Sequence, residues 1–479
     1  MMQLNYDYDY DYIIAGGGPC GLSCAWLLAK QGNKCLIVER ENTIGGCHRV
    51  RRVDGYFCEH GPRIYANAYV NFIDLLNQMN INFYDLFVPY NFSIASISAG
   101  NARSFTLHEI ASLARVWTWG TFVSKYYARN TTVLDFAQQY NFSEKAIQTL
   151  DRLCRLSDGA GVDRYTLYEF LELVNQNALY TIYQPNRPTD QGLFVEWKKA
   201  LLETENVDFI MNDSIITADD RSSFCITAKN KVIKFNKGCI LATPPRALAK
   251  ININGNLLPI AKWERDNRYD VYVPMVFHYD HKIHLKTEHG SSEGSGWEIA
   301  FIVLSDYIKF DHPHSKTVIS CCITNTNKIS NATGKTANQS SKDEMIQETF
   351  RQLRQVYPQL CTPTKTVLSP GVFYNHPEKK WDTIDDAYIR PVDGLQPYID
   401  FKISDTEKIY TVGTHTGNHY YDFTSMEAAV SNSIELCRML CKKKGNDVIN
   451  PIKSMTTIDE LVFVFTIVCI IWVLKRKYM

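Results

Sequence analysis

The stretch YIIAGGGPCGLSCAWLLAKQGNKCLIVE, Tyr12–Glu39, decides the fold. It opens on Tyr12–Ala15, an apolar run short enough to be a buried strand. Gly16-x-Gly18-x-x-Gly21 comes next, leading into an apolar helix over about Cys20–Gln31. Gly32 and Asn33 end that helix with turn chemistry. A second strand, Lys34–Val38, closes on Glu39, completing a β-α-β unit in roughly 30 residues. Each glycine has its own task. Gly16 permits the tight turn, Gly18 lets the backbone approach a pyrophosphate, and Gly21 lets helix and strand pack closely. The phosphates then face the helix N-terminus, near Pro19, where free N–H groups and the helix dipole favour anions. Glu39, followed by Arg40, is placed to accept hydrogen bonds from an adenosine ribose and to disfavour a 2′-phosphate. The glycine pattern alone is weak; its place between strand and helix gives it weight.

The bulk numbers set bounds around that unit. A chain of 479 residues suits two or three interleaved domains. Lysine plus arginine equals aspartate plus glutamate, at 51 each, so the basic excess of a nucleic-acid binder is missing. The fourteen cysteines form no CxxC pair and no paired-ligand zinc spacing, so reduced, mostly buried thiols and no metal site are expected. Sequons at Asn91, Asn130, Asn141, Asn212, Asn331 and Asn338 are attributed to an asparagine-rich composition, since no signal peptide precedes them.

Further along, NYDYDYDY reads as a low-complexity lead-in. Residues 65 to 190 read mainly as helices. Short strands follow over 207 to 243 and again over 270 to 325. Lys328–Lys342 reads as a polar surface loop, with a helix from about Lys342 to Val356. A strand, a glycine turn and a long helix occupy 409 to 442.

Beyond Glu39 lies Gly45-Gly46, in ENTIGGCHRV. With this pair the sequence resembles the flavin amine oxidase superfamily, which includes monoamine oxidases, protoporphyrinogen oxidases and phytoene desaturases. Five further stretches carry the resemblance in the same order. DGYFCEHGPRIY is similar to the acidic-then-Gly-Pro turn of protoporphyrinogen oxidases and to the Gly-Pro-His segment of UDP-galactopyranose mutases. DQGLFVEWKKALLE resembles a glycine-led helix near the flavin. NVDFIMNDSIITADD and KFNKGCILATPPRAL resemble the adenine-side strand and the return strand. IYTVGTHTGNHYYDFTSMEAAV resembles the closing strand, glycine turn and helix. The resemblance covers about residues 11 to 442.

The resemblance implies an α/β, Rossmann-like FAD-binding domain built from residues 8–75, 191–250 and 385–445. An α+β substrate domain, residues 76–190 and 251–384, is inserted into it. FAD is the implied cofactor. Gly16, Gly18, Pro19, Gly21, Glu39, Arg40, Gly45, Gly46, Arg49, Gly61, Pro62, Ile215, Ile216, Ala242, Gly413, Thr414, Ser425 and Met426 are its implied contacts. No cysteine lies between Thr383 and Met426, so the FAD is expected to be non-covalent. Three positions depart from the family pattern. Cys47 stands where arginine is common, Pro274 where amine oxidases place a lysine, and Thr414 where an acidic residue holds the ribityl chain.

The reaction implied is hydride transfer from a small-molecule substrate to the flavin, with oxygen or another acceptor taking the electrons. His60, Arg63, His415 and Tyr420 are the candidate catalytic groups, with His419 and Tyr421 nearby. Two other readings stay open: a redox-neutral mutase, whose pocket needs clustered arginines, and a non-catalytic protein on a flavin fold.

The C-terminus adds one more expectation. Leu461–Leu474 is apolar without a break and Lys475, Arg476 and Lys477 follow. Fourteen helical residues span roughly 21 Å, short of the roughly 30 Å of a bilayer core. The run reads as a short membrane anchor over 457–477, suited to an apolar substrate, with the body in the cytosol; the alternative is a buried terminal element.

Overall fold

The structure, a computed structural model, describes residues 8–61, 63–90, 104–120, 123, 125–158, 160–258, 271–285, 290–291, 296–384, 400–416, 425–442 and 449–478. Its largest sheet has nine strands. From one edge the order is Asn256–Leu257, Asn252–Ile253, Ile215–Asp219, Phe224–Thr227, Val232–Leu241, Tyr8–Ala15, Cys35–Glu39 and Val207–Met211; Ile409–Thr411 also pairs with Val232–Leu241. The pairings joining Ile409–Thr411, Val232–Leu241, Tyr8–Ala15, Cys35–Glu39 and Val207–Met211 are all parallel. A parallel sheet must be covered on both faces, and this one is. Ile14, Ile37 and Ile240 face one core; Ile13, Leu36, Val38 and Leu241 face the other.

The helix Pro19–Ala29 is buried along its whole length. It lies between the sheet and the helix Met426–Lys442, with Ser433 Oγ donating to Cys20 O at 3.1 Å. Two glycines make this possible. Gly16 has φ +108°, and a Cβ there would lie 2.4 Å from Ala242 O. A Cβ on Gly21 would lie 2.0 Å from Gly16 O, so only glycine lets the helix sit this close to the turn.

The first strand begins at Tyr8, which corrects the reading of the Tyr-Asp repeat as a mere lead-in. Asp9 pairs with Lys234 at 3.1 Å and accepts from Asn236 at 2.8 Å, while Asp11 pairs with Lys237 at 2.9 Å. Alternating tyrosine and aspartate is a strand period, and neighbouring strands answer the charges.

A second sheet runs Gly290–Ser291, Ile299–Val303, Thr317–Ile323, Val273–Tyr279, Lys365–Leu368, all antiparallel. Its outer face (Met275, Phe277, Phe301, Cys321) shares a core with Met345 and Leu353 of the helix Lys342–Val356. The opposite face brings Val276 and Ile302 into the core shared with the first sheet. Residues 65 to 190 are mostly helical as expected, and capping boxes at Thr106, Thr132 and Thr166 start three of the helices. The sequence reading missed a small sheet among them, formed by Tyr65–Ala66, Ile182–Pro185 and Phe87–Pro89.

The chain ends in a 21-residue helix, Ile458–Tyr478. Among the described residues no helix is long and apolar enough to cross a membrane. The expected transmembrane anchor is thereby corrected: Asp459 and Glu460 at one end, and Lys475 and Arg476 at the other, confine the apolar part to fourteen residues. Before this helix, residues 449–457 form a strap across the body. Asn71 Nδ2 donates to Lys453 O at 2.7 Å, Thr456 N donates to Tyr180 Oη at 2.7 Å, and Ile449 and Met455 are buried.

Candidate functional site

Four parallel strands end on one edge of the large sheet, delivering Gly16, Glu39, Ala242 and Gly413 to the mouth of one cavity of about 1240 Å³. This is where open α/β sheets bind ligands. The volume exceeds the roughly 300–1,000 Å³ of ordinary small-molecule sites, and the cavity continues past the sheet to the second one.

At one end stands Glu39, buried at the close of its strand. Its Oε2 accepts from Gly17 N at 2.7 Å, and its Oε1 accepts from Glu41 N at 2.9 Å and from Arg49 Nη2 at 2.8 Å. A carboxylate offers about four lone-pair sites; three are taken, which leaves one for a ligand hydroxyl. Arg49 is as buried as Glu39 and also donates to Thr43 O at 3.1 Å. Gly45 N donates to Gly17 O at 2.8 Å, docking the second glycine pair against the first turn. Ile215 and Ile216 line the same end from their strand, Ile215 buried and Ile216 exposed.

Towards the middle, the glycine turn and the start of the helix Met426–Lys442 face each other. Gly18, Pro19 and Gly46 line one wall; Gly413, Thr414, His415, Ser425 and Met426 line the other. Asn432 Nδ2 donates to Gly413 O at 2.6 Å and fixes that turn. His415 is buried, 3.3 Å from Thr411 Oγ1.

The far end is walled by both sheets and the helical layer. His60, Gly61 and Arg63 come from the turn after the strand Tyr56–Cys58, and Tyr272 precedes the strand Val273–Tyr279. Ala300, Ile302 and Cys322 come from the second sheet, and Leu156, Leu173, Gln176 and Asn177 from two helices. Pro274, where a lysine was expected, pairs with Cys322 across the sheet, next to the lining residue Tyr272, but does not itself line the cavity. The His60 and Tyr272 rings meet edge to face at 5.8 Å. His278 anchors the turn: its Nε2 is 2.9 Å from Phe57 O and its Nδ1 2.9 Å from Ser315 Oγ, and burial lowers its pKa to about 4.

Electrostatics on this wall are set by burial. The Glu59 carboxyl is pushed up to about 7 because it is enclosed, against the opposing pull of the Arg63 guanidinium and the Ser320 hydroxyl. His48, held 3.0 Å from Tyr65 Oη, is lowered well below the ordinary imidazole value, first by burial and then by Arg63 and His60. Arg63 donates from Nη2 to Cys47 O. Glu59 Oε1, Arg63 Nε and Thr243 Oγ1 are buried with no hydrogen-bond partner among the described residues. Arg63 and Thr243 line the cavity, and unmet polar groups there fit an enclosed polar ligand.

Of the residues read from the sequence, Gly16, Gly18, Pro19, Glu39, Arg40, Gly46, Arg49, Gly61, Ile215, Ile216, Ala242, Gly413, Thr414, Ser425 and Met426 line the cavity. So do His60, Arg63 and His415. Gly21 and Gly45 support the turn from behind. Pro62, His419, Tyr420 and Tyr421 lie outside the described residues. Sequence reasoning missed Tyr272, Arg155, Gln176 and Asn177, and it quoted Glu59 within its motif without singling it out. Only the acidic-then-Gly-Pro pattern signalled Glu59; the others carry no local signature.

Comparisons with known proteins agree with this geometry. Residues 14–79 match the NAD(P)-binding Rossmann-like domain family. A 15-cis-phytoene desaturase of Synechococcus elongatus is 39% identical over 69 residues, 14% of this chain and 15% of the desaturase. One from Arabidopsis thaliana is 38% identical over 71 residues, 15% of this chain and 12% of the other. These matches therefore span about a seventh of the curated relatives. Solved structures are similar over far more. A putrescine oxidase bound to putrescine superposes with TM-score 0.63 at 12% identity, covering 91% of this chain and 99% of the other. A cyclohexylamine oxidase from Brevibacterium oxydans gives TM-score 0.56 at 13% identity, covering 91% and 100%. A candidate protoporphyrinogen oxidase from Exiguobacterium gives 0.59 at 13%, covering 91% and 99%. The chain has the fold of the flavin amine oxidase and protoporphyrinogen oxidase superfamily.

Proposed function

We propose that this chain is an FAD-dependent oxidoreductase of the amine oxidase or protoporphyrinogen oxidase type. The observation that carries the reading is the continuity of one cavity from Glu39 to Tyr272, Ala300 and Ile302. FAD, when bound, supplies a hydride acceptor that passes electrons on to oxygen or another acceptor.

The chain's residues would divide the remaining work. Glu39 accepts a ribose hydroxyl, supported by Arg49, which takes the place that Cys47 cannot fill. The Gly16–Gly21 turn and the start of its helix hold the pyrophosphate. Thr414 offers a hydroxyl where the family has a carboxylate. Leu156, Leu173, Ala300 and Ile302 keep water from the reacting end and favour an apolar portion of substrate. Arg63, His60 and Tyr272 orient a polar group there. Arg155 is balanced by Asp151 at 2.9 Å and Arg246 by Asp382 at 3.1 Å, so these two arginines do not supply the excess cation a nucleotide-diphosphate mutase requires. That favours the hydride-transfer reading. The exposed tail helix, with Phe465, Ile471 and Trp472 outward, is assigned to a membrane surface, with the body in the cytosol.

The decisive measurement is the visible spectrum of purified protein, before and after anaerobic addition of candidate amines and apolar substrates. Flavin bands at near-stoichiometric occupancy that bleach with one substrate class carry the reading. A folded protein that stays colourless after incubation with FAD overturns it.

A further inference from the structure

A second cluster of reactive groups lies outside this cavity, at the end of the second sheet. The strand Val273–Tyr279 pairs antiparallel with Lys365–Leu368, His278 opposite Lys365. The exit of the first strand and the entry to the second are therefore neighbours. Asp280 and His281 follow the first; Cys361 to Thr364 precede the second.

The register brings three side chains into line. Cys361 Sγ is 3.7 Å from His281 Nε2, and His281 Nδ1 is 2.9 Å from Asp280 Oδ1. The backbone holds them there. Asp280 N donates to Thr364 Oγ1 at 3.1 Å, and Thr317 Oγ1 donates to His281 O at 2.9 Å. The imidazole beside Asp280 holds that carboxyl below its usual range. A carboxylate accepting from Nδ1–H leaves Nε2 free to take a thiol proton, which is the nucleophile, base and orienter arrangement. Of the fourteen cysteines, ten are buried and Cys361 is exposed.

We propose that Cys361 is a reactive thiol, with His281 as its base and Asp280 orienting the base, and that it is the site where a hydroperoxide or similar soft electrophile modifies this protein. His281 Nε2 takes the thiol proton, and the sulfur attacks the terminal oxygen of the hydroperoxide. The O–O bond breaks, and the leaving alkoxide takes the proton from His281. The thiol is oxidised to a sulfenic acid and the hydroperoxide reduced to an alcohol, with no further reagent. The charged and titratable groups around Cys361 are Asp280, His281, Tyr279 and Arg354, the last two through electrostatic interaction at Tyr279. Lys282 is engaged by Asp306 at 3.1 Å and Lys365 by Asp54 at 2.9 Å, so neither supplies a free charge here.

The test uses the intact protein and needs neither cofactor nor substrate. Brief alkylation with iodoacetamide from pH 6 to 9, read peptide by peptide, ranks all fourteen thiols. Cys361 is expected to react first. H281A is expected to slow it at pH 7 by about threefold, because the base that takes the thiol proton is lost. D280N is expected to give part of that loss. Cumene hydroperoxide followed by dimedone should label Cys361 in the wild type and less in H281A. All three residues are exposed, so the variants keep the fold. An unchanged rate in H281A, or dimedone on other cysteines in preference to Cys361, overturns the proposal.

Discussion

Arg49 Nη2 stands 2.8 Å from Glu39 Oε1, both side chains are buried, and the pair closes one end of the cavity. Ten residues separate them in sequence, across the loop that carries Gly45 and Gly46. An ion pair of this kind is costly to break one-sidedly, because the partner left behind is a buried charge. Arg49→Met is expected to destabilise the fold by about 3 kcal/mol, read by chemical denaturation. No loss would mean that water replaces the guanidinium.

Glu39→Gln keeps the shape and removes the charge. Hydrogen bonds to a charged group are worth about 1.5–3 kcal/mol, so FAD affinity should fall roughly 10- to 100-fold, and because Arg49 is left buried without its counter-charge the melting temperature should fall as well. Flavin fluorescence titration measures it. Unaltered affinity would take Glu39 out of the cofactor site.

Gly21→Ala tests the close packing of the first helix. The added methyl lies 2.0 Å from a backbone oxygen that cannot rotate away. Overpacking of this kind costs about 1–3 kcal/mol. The expected outcome is a lower melting temperature together with lost flavin.

Glu59 predicts a pH dependence of stability. Its folded pKa of about 7 lies above the ordinary carboxylate value of 4.5. The folded state thus holds a proton that the unfolded chain releases. The stability is fully present below about pH 4.5 and is lost as pH rises through 7, by about 3 kcal/mol at roughly 1.4 kcal/mol per unit. Glu59→Gln should therefore melt higher than wild type at pH 8, with the gap closing at pH 5. Parallel melting curves at both pH values would disprove the enclosed carboxyl.

The tail divides at Thr457. Removing 459–479 takes only the exposed helix, and the melting temperature should stay within a degree or two. Removing 449–479 also strips the strap, with buried Ile449 and Met455 and the Lys453 bonds to Asn71, and should lower it markedly. Differential scanning fluorimetry on the two truncations separates these outcomes.

Much of this molecule was legible in its sequence, for reasons that can be located. The Gly16–Gly21 turn and Glu39 could be read because a local backbone conformation demands those residue types. The helix Lys342–Val356 could be read because its 3.6-residue pattern is complete and Ser341 caps it. Arg49 could be placed near the cofactor by resemblance, but its ion pair with Glu39 could not be read, because it is made through space across a folded loop. Glu59 and Tyr272 escaped for the same reason: the second sheet encloses them, and nothing next to them in the chain says so. The tail shows the reverse limit. Its fourteen apolar residues were legible as shorter than a bilayer core, yet the run was still read as an anchor, and among the described residues no helix is long and apolar enough to cross a membrane.

The parallel sheet has one further consequence, for how the protein is made. The Gly16 turn leaves the ribosome well before the segments that complete its surroundings. Its sheet is completed only by Ile409–Thr411, and its first helix is covered only by Met426–Lys442. At roughly 5–20 residues per second, the nascent chain carries an unfinished apolar sheet for about 20–80 seconds. Recovery of soluble protein in a foreign host is therefore governed by chaperone capacity and growth temperature during that interval, ahead of any supply of flavin.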